Sequence, residues 1–317
     1  VIGRHRHLIG LEGLSREEIL QVLDLATSMK EVLSRPVKKV PSLRGKNVVN
    51  LFFETSTRTR SSFEIAAKVL SADSLNWTSA QSSTTKGETL LDTAKNLEAM
   101  RPDVLVVRHS ASGAPNFLAR HVGCAVVSAG DGAHEHPSQG LLDCFTLRER
   151  FGSLEGRTVA IVGDISHSRV ARSDLHSLPK LGVKVRLCGP PTMIPQGIDK
   201  LGATVHHDLR TAVDGVDAVV MLRIQHERIG DPLIPNTREY SKFWGLNAKK
   251  AAEWLKPDAV ILHPGPINRG VELSSDVADG PRSVILDQVQ NGVAVRMAIL
   301  YLLAGGAGED RAEKVSA

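Results

Sequence analysis

The run Glu54-Thr-Ser-Thr-Arg-Thr-Arg60 places Ser56, Thr57 and Thr59 beside Arg58 and Arg60. It follows an apolar run ending at Phe53 and opens a helical pattern through Phe63, Ile65, Ala66, Ala67 and Leu70. A buried strand thus delivers hydroxyls and guanidiniums onto the first turn of a helix, where unpaired N–H groups and the dipole favour an anion. With Arg58 added, the turn becomes a cradle for phosphate or a phosphate ester. The two arginines are spaced i, i+2 and point to different sides. Arg58 is expected to face the ligand and Arg60 to bridge to neighbouring structure. Taken alone, the run is also compatible with an N-cap cluster beside a surface salt bridge.

Other polar clusters fall at strand ends, where ligands of open α/β folds gather. Arg108 and His109 end the run Val104–Val107, from which a guanidinium reaches an anion held at 56–59. Gly130-Asp-Gly-Ala-His-Glu-His-Pro-Ser-Gln139 reads as a strand–loop–helix corner. Pro137 stands at the first helical position, which puts His136 near the N-cap and Gln139 in the first turn. A helix N-terminus favours the neutral imidazole, which can donate to a carbonyl oxygen as charge develops on it. His134-x-His136 lacks a further metal-ligand pattern, so no metal is expected.

Gly163-Asp-Ile-Ser-His-Ser-Arg169 follows Thr158–Val162 but lacks G-x-G-x-x-G spacing, which argues against a dinucleotide. Arg169 suits a carboxylate, or is a surface charge at a helix start. Arg223 and Gln225 follow Val219–Leu222 and face one side if extended. His263-Pro-Gly-Pro266 forms a rigid turn whose free carbonyls either accept from an amide-like NH₂ or serve structure alone. Lys86, in the loop 78–87, is a solvated cation or part of a basic lid.

These residues need a scaffold, and apolar runs of strand length alternate with helical patterns throughout. Strands are expected at 47–53, 74–78, 103–107, 124–128, 157–162, 183–188, 217–222 and 259–262. Helices are expected at 57–70, 88–100, 114–121, 137–150, 168–181, 208–214 and 247–255, after a first helix opened by the capping box Ser15–Glu18. This pattern predicts two open, largely parallel, doubly wound α/β domains, with no sequence repeat between them. The helix at 284–303 is apolar around much of its girth and is expected to be buried against the first domain. The domains are therefore drawn as 1–137 plus 290–317, and 138–289. The segments 78–87 and 225–246 are expected to be loops.

At 317 residues the chain is long enough for two domains. Aromatic residues make up only 4%, and the net charge of +4 comes from dispersed Lys and Arg, which disfavours nucleic acid. No apolar run spans a membrane or marks a signal peptide, and three isolated cysteines fit a reducing, cytoplasmic setting.

Taken together and in order, Ser56-Thr-Arg-Thr-Arg60, Lys86-Gly-Glu, Arg108-His109, His136-Pro-Ser-Gln139, Arg169, Arg223-x-Gln-x-Glu-Arg228 and His263-Pro-Gly-Pro266 resemble the aspartate carbamoyltransferase catalytic chains. The likeness covers nearly the full length. The chain lacks the His-Cys-Leu-Pro turn and Ser-Met-Gly loop of ornithine-type enzymes. The resemblance implies transfer of a carbamoyl group from carbamoyl phosphate to L-aspartate, without cofactor or metal. It implies that Ser56, Thr57, Arg58, Thr59 and Arg108 hold phosphate, while Thr59, Arg108 and His136 polarise the carbamoyl oxygen. Gln139 and the carbonyls of Gly265 and Pro266 would orient the carbamoyl NH₂. Lys86, Arg169, Arg223 and Gln225 would bind aspartate, with Arg58, Thr59, Lys86, Arg108 and His136 as the catalytic set. It further implies a homotrimer in which Ser82 and Lys86 reach a neighbour's site. Glu54 would tether Arg169 and Arg228, and a regulatory chain or dihydroorotase is an allowed partner.

Overall fold

The computed structural model describes residues 5–78, 88–224 and 236–305. These fall into two compact units. One comprises the described residues as far as Leu142 together with those from Gln290, and the other is Asp143–Val289. The division lies inside the helix at whose start the sequence reading drew it.

The first unit runs α1 (Arg16–Leu33), β1 (Asn47–Phe52), α2 (Thr57–Val69), β2 (Asp73–Thr78), α3 (Leu90–Ala99), β3 (Val104–His109), α4 (Ala114–Ala119), β4 (Ala125–Asp131) and the start of α5 (Pro137–Phe151). Its four strands are all parallel, in the order β2-β1-β3-β4. Val49, Leu51, Leu105, Val107 and Val126 pack with Ala94, Leu97, Leu118 and Val122 of the covering segments. Such burial explains why β1, β3 and β4, unlike the partly exposed edge strand β2, read as mainly apolar runs rather than alternating ones. The free edge of β4 is met by Leu8, whose N–H donates to the Val126 carbonyl at 2.9 Å and whose carbonyl accepts from Ser128 at 2.8 Å. At the start of α1, both arms of the expected capping box are made.

The second unit continues from α5 through β5 (Thr158–Val162), α6 (Arg169–Ser177), β6 (Lys184–Cys188), β7 (Ala203–His206), α7 (Leu209–Val213), β8 (Ala218–Met221), α8 (Thr237–Phe243), α9 (Ala248–Trp254), β9 (Val260–Leu262), α10 (Ser275–Ala278) and the first turn of α11 (Ile285–Gly305). Its five strands are also all parallel, in the order β7-β6-β5-β8-β9. Three elements depart from the sequence reading, one of them α10, a single four-residue turn of helix. β7 is an added strand whose half-exposed residues give no apolar run. Within the expected loop 225–246 lies α8, capped by Asn236, which accepts from Glu239 N–H at 2.8 Å, and anchored by buried Tyr240. In sequence α8 is enclosed by Pro235 and Gly245, breaker residues that make the whole stretch read as loop. Residues 225–235 and 79–87 lie outside the described ones.

From Gln290, α11 belongs to the first unit, as expected. Ala294, Val295, Met297, Ala298, Ile299, Leu300 and Leu303 are buried, and the Arg296 guanidinium lies 5.2 Å from the Phe63 ring centre of α2. Burial does not extend all round: Leu286 and Val289 are exposed, contrary to the expectation for the whole helix.

The strand order reverses between β1 and β3 in one sheet, and between β5 and β8 in the other. These are the topological switch points, where the corners after adjacent strands diverge and leave room for a ligand. A local device repeats at the opposite strand ends. Asp103 accepts from Asn47 N–H at 2.9 Å and pairs with Lys46 at 3.0 Å. Asp217 accepts from Thr158 N–H at 2.8 Å and pairs with Arg157 at 3.2 Å. Each aspartate also donates its own N–H to the carbonyl of that same strand residue, at 2.9 and 2.8 Å. The central pair of each sheet is clamped alike without any sequence repeat.

Candidate active site

In the first unit, β1 delivers the chain to α2 through Phe53, whose N–H donates to the Arg108 carbonyl at 2.9 Å. Ser56 occupies the N-cap of α2, yet its hydroxyl makes no capping bond. Ser15 and Ser168 do cap their own helices. Arg60 N–H is bonded to the Ser56 carbonyl at 3.2 Å, so the N–H groups of Thr57 and Thr59 lie in the turn whose donors point out of the helix end. The first turn of α2 holds no acidic residue, so its positive end is not offset locally. Thr57 and Arg58 are exposed, Ser56 half-buried and Thr59 buried.

Arg108 is the register partner of Phe52, which fixes it beside this corner. Its Nη1 donates to the Ala129 carbonyl at 3.2 Å, and its Nε lies 3.4 Å from Glu54 Oε2. Glu54 thus pairs within its own unit, with Arg108. His109 accepts at Nδ1 from Ala111 N–H at 2.8 Å, and burial lowers its pKa against the opposing pull of Glu54 and Asp131. Its imidazole is therefore neutral, with the proton on Nε2.

The corner after β4 is organised by a residue that the sequence reading passed over. Asp131 is fully buried and accepts from Gly113 N–H at 2.6 Å, Glu135 N–H at 3.2 Å and the His134 ring at 3.2 Å. Buried Glu135 in turn accepts from Leu11 N–H at 2.8 Å. Gly132, at φ +47°, passes so close to Ser112 N and Ser110 O that a Cβ would lie 2.8 and 2.9 Å from them. This bracing sets the entry to α5. The His136 carbonyl accepts from Gln139 N–H at 2.8 Å and Gly140 N–H at 3.2 Å, so His136 is the N-cap residue, 4% exposed. His134 serves Asp131. The available signal was an acidic pair in an otherwise neutral corner.

In the second unit, β5 ends at Gly163, where φ is +137° and a Cβ would lie 2.9 Å from Leu222 Cβ. Buried Asp164 accepts from the His167 N–H at 3.1 Å and its ring at 2.9 Å. Ser168 then caps α6 through Ala171 N–H at 3.2 Å, which leaves Arg169 as the first helical residue, 4% exposed. Arg223 follows β8 directly after Leu222, whose N–H donates to Val162 at 2.8 Å. Arg169 and Arg223 thus belong to the two corners of this switch point. The turn after β9 holds Gly265 and Pro266 at and near the surface, with a cis peptide bond between them. Ser82, Lys86, Gln225 and Arg228 lie outside the described residues.

Among the described residues, no three His, Cys, Asp or Glu groups are placed to hold a metal ion, and no helix is long and apolar enough to cross a membrane. All three cysteines are buried; burial raises Cys124 to about 11 and Cys188 to about 12, far from thiolate chemistry at neutral pH.

Two family models match. The carbamoyl-P binding domain of aspartate/ornithine carbamoyltransferases matches residues 6–149, and their Asp/Orn binding domain matches residues 155–303. The chain is 83% identical over 310 residues to an aspartate carbamoyltransferase catalytic subunit of Anaeromyxobacter dehalogenans, covering 98% of this chain and 99% of the relative. It is 62% identical to the protein of that name from Geobacter sulfurreducens, covering 96% and 97%. Among solved structures, it is similar to Trypanosoma cruzi aspartate transcarbamoylase in complex with N-(phosphonacetyl)-L-aspartic acid, at TM-score 0.86 and 32% identity, covering 94% and 95%. It is also similar to Thermus thermophilus ornithine carbamoyltransferase, at TM-score 0.83 and 30% identity, covering 94% and 99%.

Proposed function

The chain belongs to the aspartate/ornithine carbamoyltransferase family, and we propose that it is an aspartate-using catalytic chain. It transfers the carbamoyl group of carbamoyl phosphate to the amino group of L-aspartate, giving N-carbamoyl-L-aspartate and phosphate. The observation that carries this reading is the start of α2. At a switch point, a helix end with no acidic offset and an N-cap hydroxyl left out of capping stands beside a register-fixed arginine. Relatives named for the aspartate reaction, at up to 83% identity, support the choice of acceptor.

In this reading Ser56, Thr57, Arg58 and Thr59, with Arg108, bind the phosphate group. Backbone N–H groups and guanidiniums match its tetrahedral, multiply charged oxygens. Thr59, Arg108 and His136 donate to the carbamoyl oxygen. Each donor aimed at the developing oxyanion contributes about 2.7–4 kcal/mol in the transition state. Gln139 and the carbonyls of Gly265 and Pro266 accept from the carbamoyl NH₂. Arg169, Arg223 and Gln225 bind the two carboxylates of aspartate, joined by Lys86.

The uncharged amine of aspartate attacks the carbamoyl carbon, forming the C–N bond and a tetrahedral oxyanion. Collapse breaks the C–O bond to phosphate, and the departing phosphate takes the amine proton. No covalent enzyme intermediate is required. Alignment of the two substrates and fixed positive charge supply the acceleration. The phosphate-binding residues belong to the first unit, and Arg169 and Arg223 to the second.

We further infer a cytoplasmic homotrimer in which Ser82 and Lys86 complete a neighbouring site. A regulatory chain or a dihydroorotase is a fitting partner. Mixing inactive Lys86→Ala and Arg58→Ala chains would then restore part of the activity; hybrids that stay inactive would refute the shared site. The reaction itself is tested by supplying carbamoyl phosphate with aspartate or with ornithine. Ureido product is expected with aspartate, and product with ornithine in its place would reassign the enzyme.

A further inference from the structure

We propose that Glu272, acting through the imidazole of His263, is a positioning residue that holds the Gly265 and Pro266 carbonyls in place for the carbamoyl NH₂. The inference rests on the role given above to that turn. Both side chains are fully buried. His263 Nδ1 accepts from Gly265 N–H at 2.7 Å, so the ring proton sits on Nε2 and is donated to Glu272 Oε1 at 3.2 Å. The same carboxylate oxygen accepts from Asn268 N–H at 2.6 Å. On the other side, the His263 N–H donates to Gln288 Oε1 at 2.9 Å, and the Gln288 amide donates to Asp143 at 2.6 Å. The main chain is therefore pinned at 263, 265 and 268, bracketing the two carbonyls. A buried carboxylate is poorly suited to stability alone, since an apolar pair would fill the space at lower desolvation cost. Its bonds supply direction: one imidazole tautomer and one orientation of the turn. Gly265 is half-buried and Pro266 exposed above this buried base, so a rigid support carries an accessible tip.

Acetyl phosphate tests this, because it carries a methyl group where carbamoyl phosphate carries NH₂ and cannot donate to the turn. In the intact protein, Glu272→Ala is expected to lower kcat/KM for carbamoyl phosphate at least tenfold. Inhibition by acetyl phosphate and by inorganic phosphate should stay within twofold. Glu272→Gln keeps an acceptor for His263 and Asn268 and is expected to recover most of the loss. A folded Glu272→Ala protein that still prefers carbamoyl over acetyl phosphate as strongly as the parent overturns the inference. Should that variant fail to fold, His263→Asn and His263→Gln decide. Asparagine places an acceptor near Nδ1 and should keep the preference, glutamine places its amide near Nε2 and should lose it, and equal behaviour overturns the proposal. A parent protein that binds the two phosphates equally would remove the reading of the turn itself, and the inference with it.

Discussion

The corners β1–α2 and β5–α6 have the same plan and opposite finish. Each leaves a central strand at a switch point, carries serine at the N-cap and arginine in the first helical turn, and stands beside a second arginine from the neighbouring strand. Each sheet is clamped at its far end by the same aspartate device. At α2, however, Ser56 does not cap and Thr57 and Arg58 are exposed. At α6, Ser168 caps and Arg169 is buried. An uncapped helix end offers backbone donors to a multiply charged phosphate. A capped end has spent a donor on itself and leaves recognition to guanidiniums, which suit planar carboxylates. In the proposed reading, one topology serves two kinds of anion according to whether the N-cap serine bonds its own helix.

Four variants break or sharpen this contrast. Arg58→Ala should lower turnover by about 10³ or more while leaving thermal unfolding nearly unchanged; near-normal turnover would remove the cradle. His136→Ala should lower kcat by about 10²–10³ with a smaller effect on carbamoyl phosphate binding. The reverse pattern would make His136 a binding residue. The paired serines form the sharpest comparison. Ser168→Ala should cost about 1 kcal/mol in denaturant unfolding, as loss of a cap does. Ser56→Ala should leave unfolding unchanged and weaken inhibition by inorganic phosphate. Equal stability losses at both positions would erase the distinction.

The smallest effect concerns a buried carboxyl on α6 that α2 lacks. Asp174 is wholly buried, and burial, reinforced by the nearby Asp143 carboxylate, raises its pKa well above the usual range. The folded state therefore keeps a proton that the unfolded chain releases above about pH 4. Stability falls as pH rises from there towards the folded-state pKa. Asp174→Asn should raise the Tm by a few degrees (about 2–4 °C per kcal/mol) at pH 7–8, with the gain vanishing near pH 4. Scanning calorimetry across that range checks the sign, and a gain largest at acid pH would contradict it.

Much of this was legible before any coordinates because parallel strands covered on both faces appear as bare apolar runs. The polar residue after each run then stands at a sheet's ligand end. That logic put Ser56–Thr59, Arg108, His136, Arg169 and Arg223 at the strand-end corners where the structure has them. It missed β7, whose residues are mostly half-exposed, α8, which lies between the breakers Pro235 and Gly245, and α10, a single turn of four residues. It also missed contacts made across long stretches of chain. Asp103 and Asp217 reach strand residues far back in the sequence, and Asp131 and Glu135 gain their roles from Gly113 and Leu11. That Ser56 leaves its own helix uncapped is likewise a matter of backbone angles, which the letters Ser-Thr-Arg-Thr share with an ordinary cap.

The central claim is that one switch point takes phosphate and the other takes carboxylates. A crystal structure of this protein with N-(phosphonacetyl)-L-aspartic acid tests it most directly. The phosphonate is expected on the N–H groups and hydroxyls of residues 56–59 with Arg108, and the carboxylates on Arg169 and Arg223. A phosphonate seated on Arg169 and Arg223, or a start of α2 left without the ligand, would contradict the account.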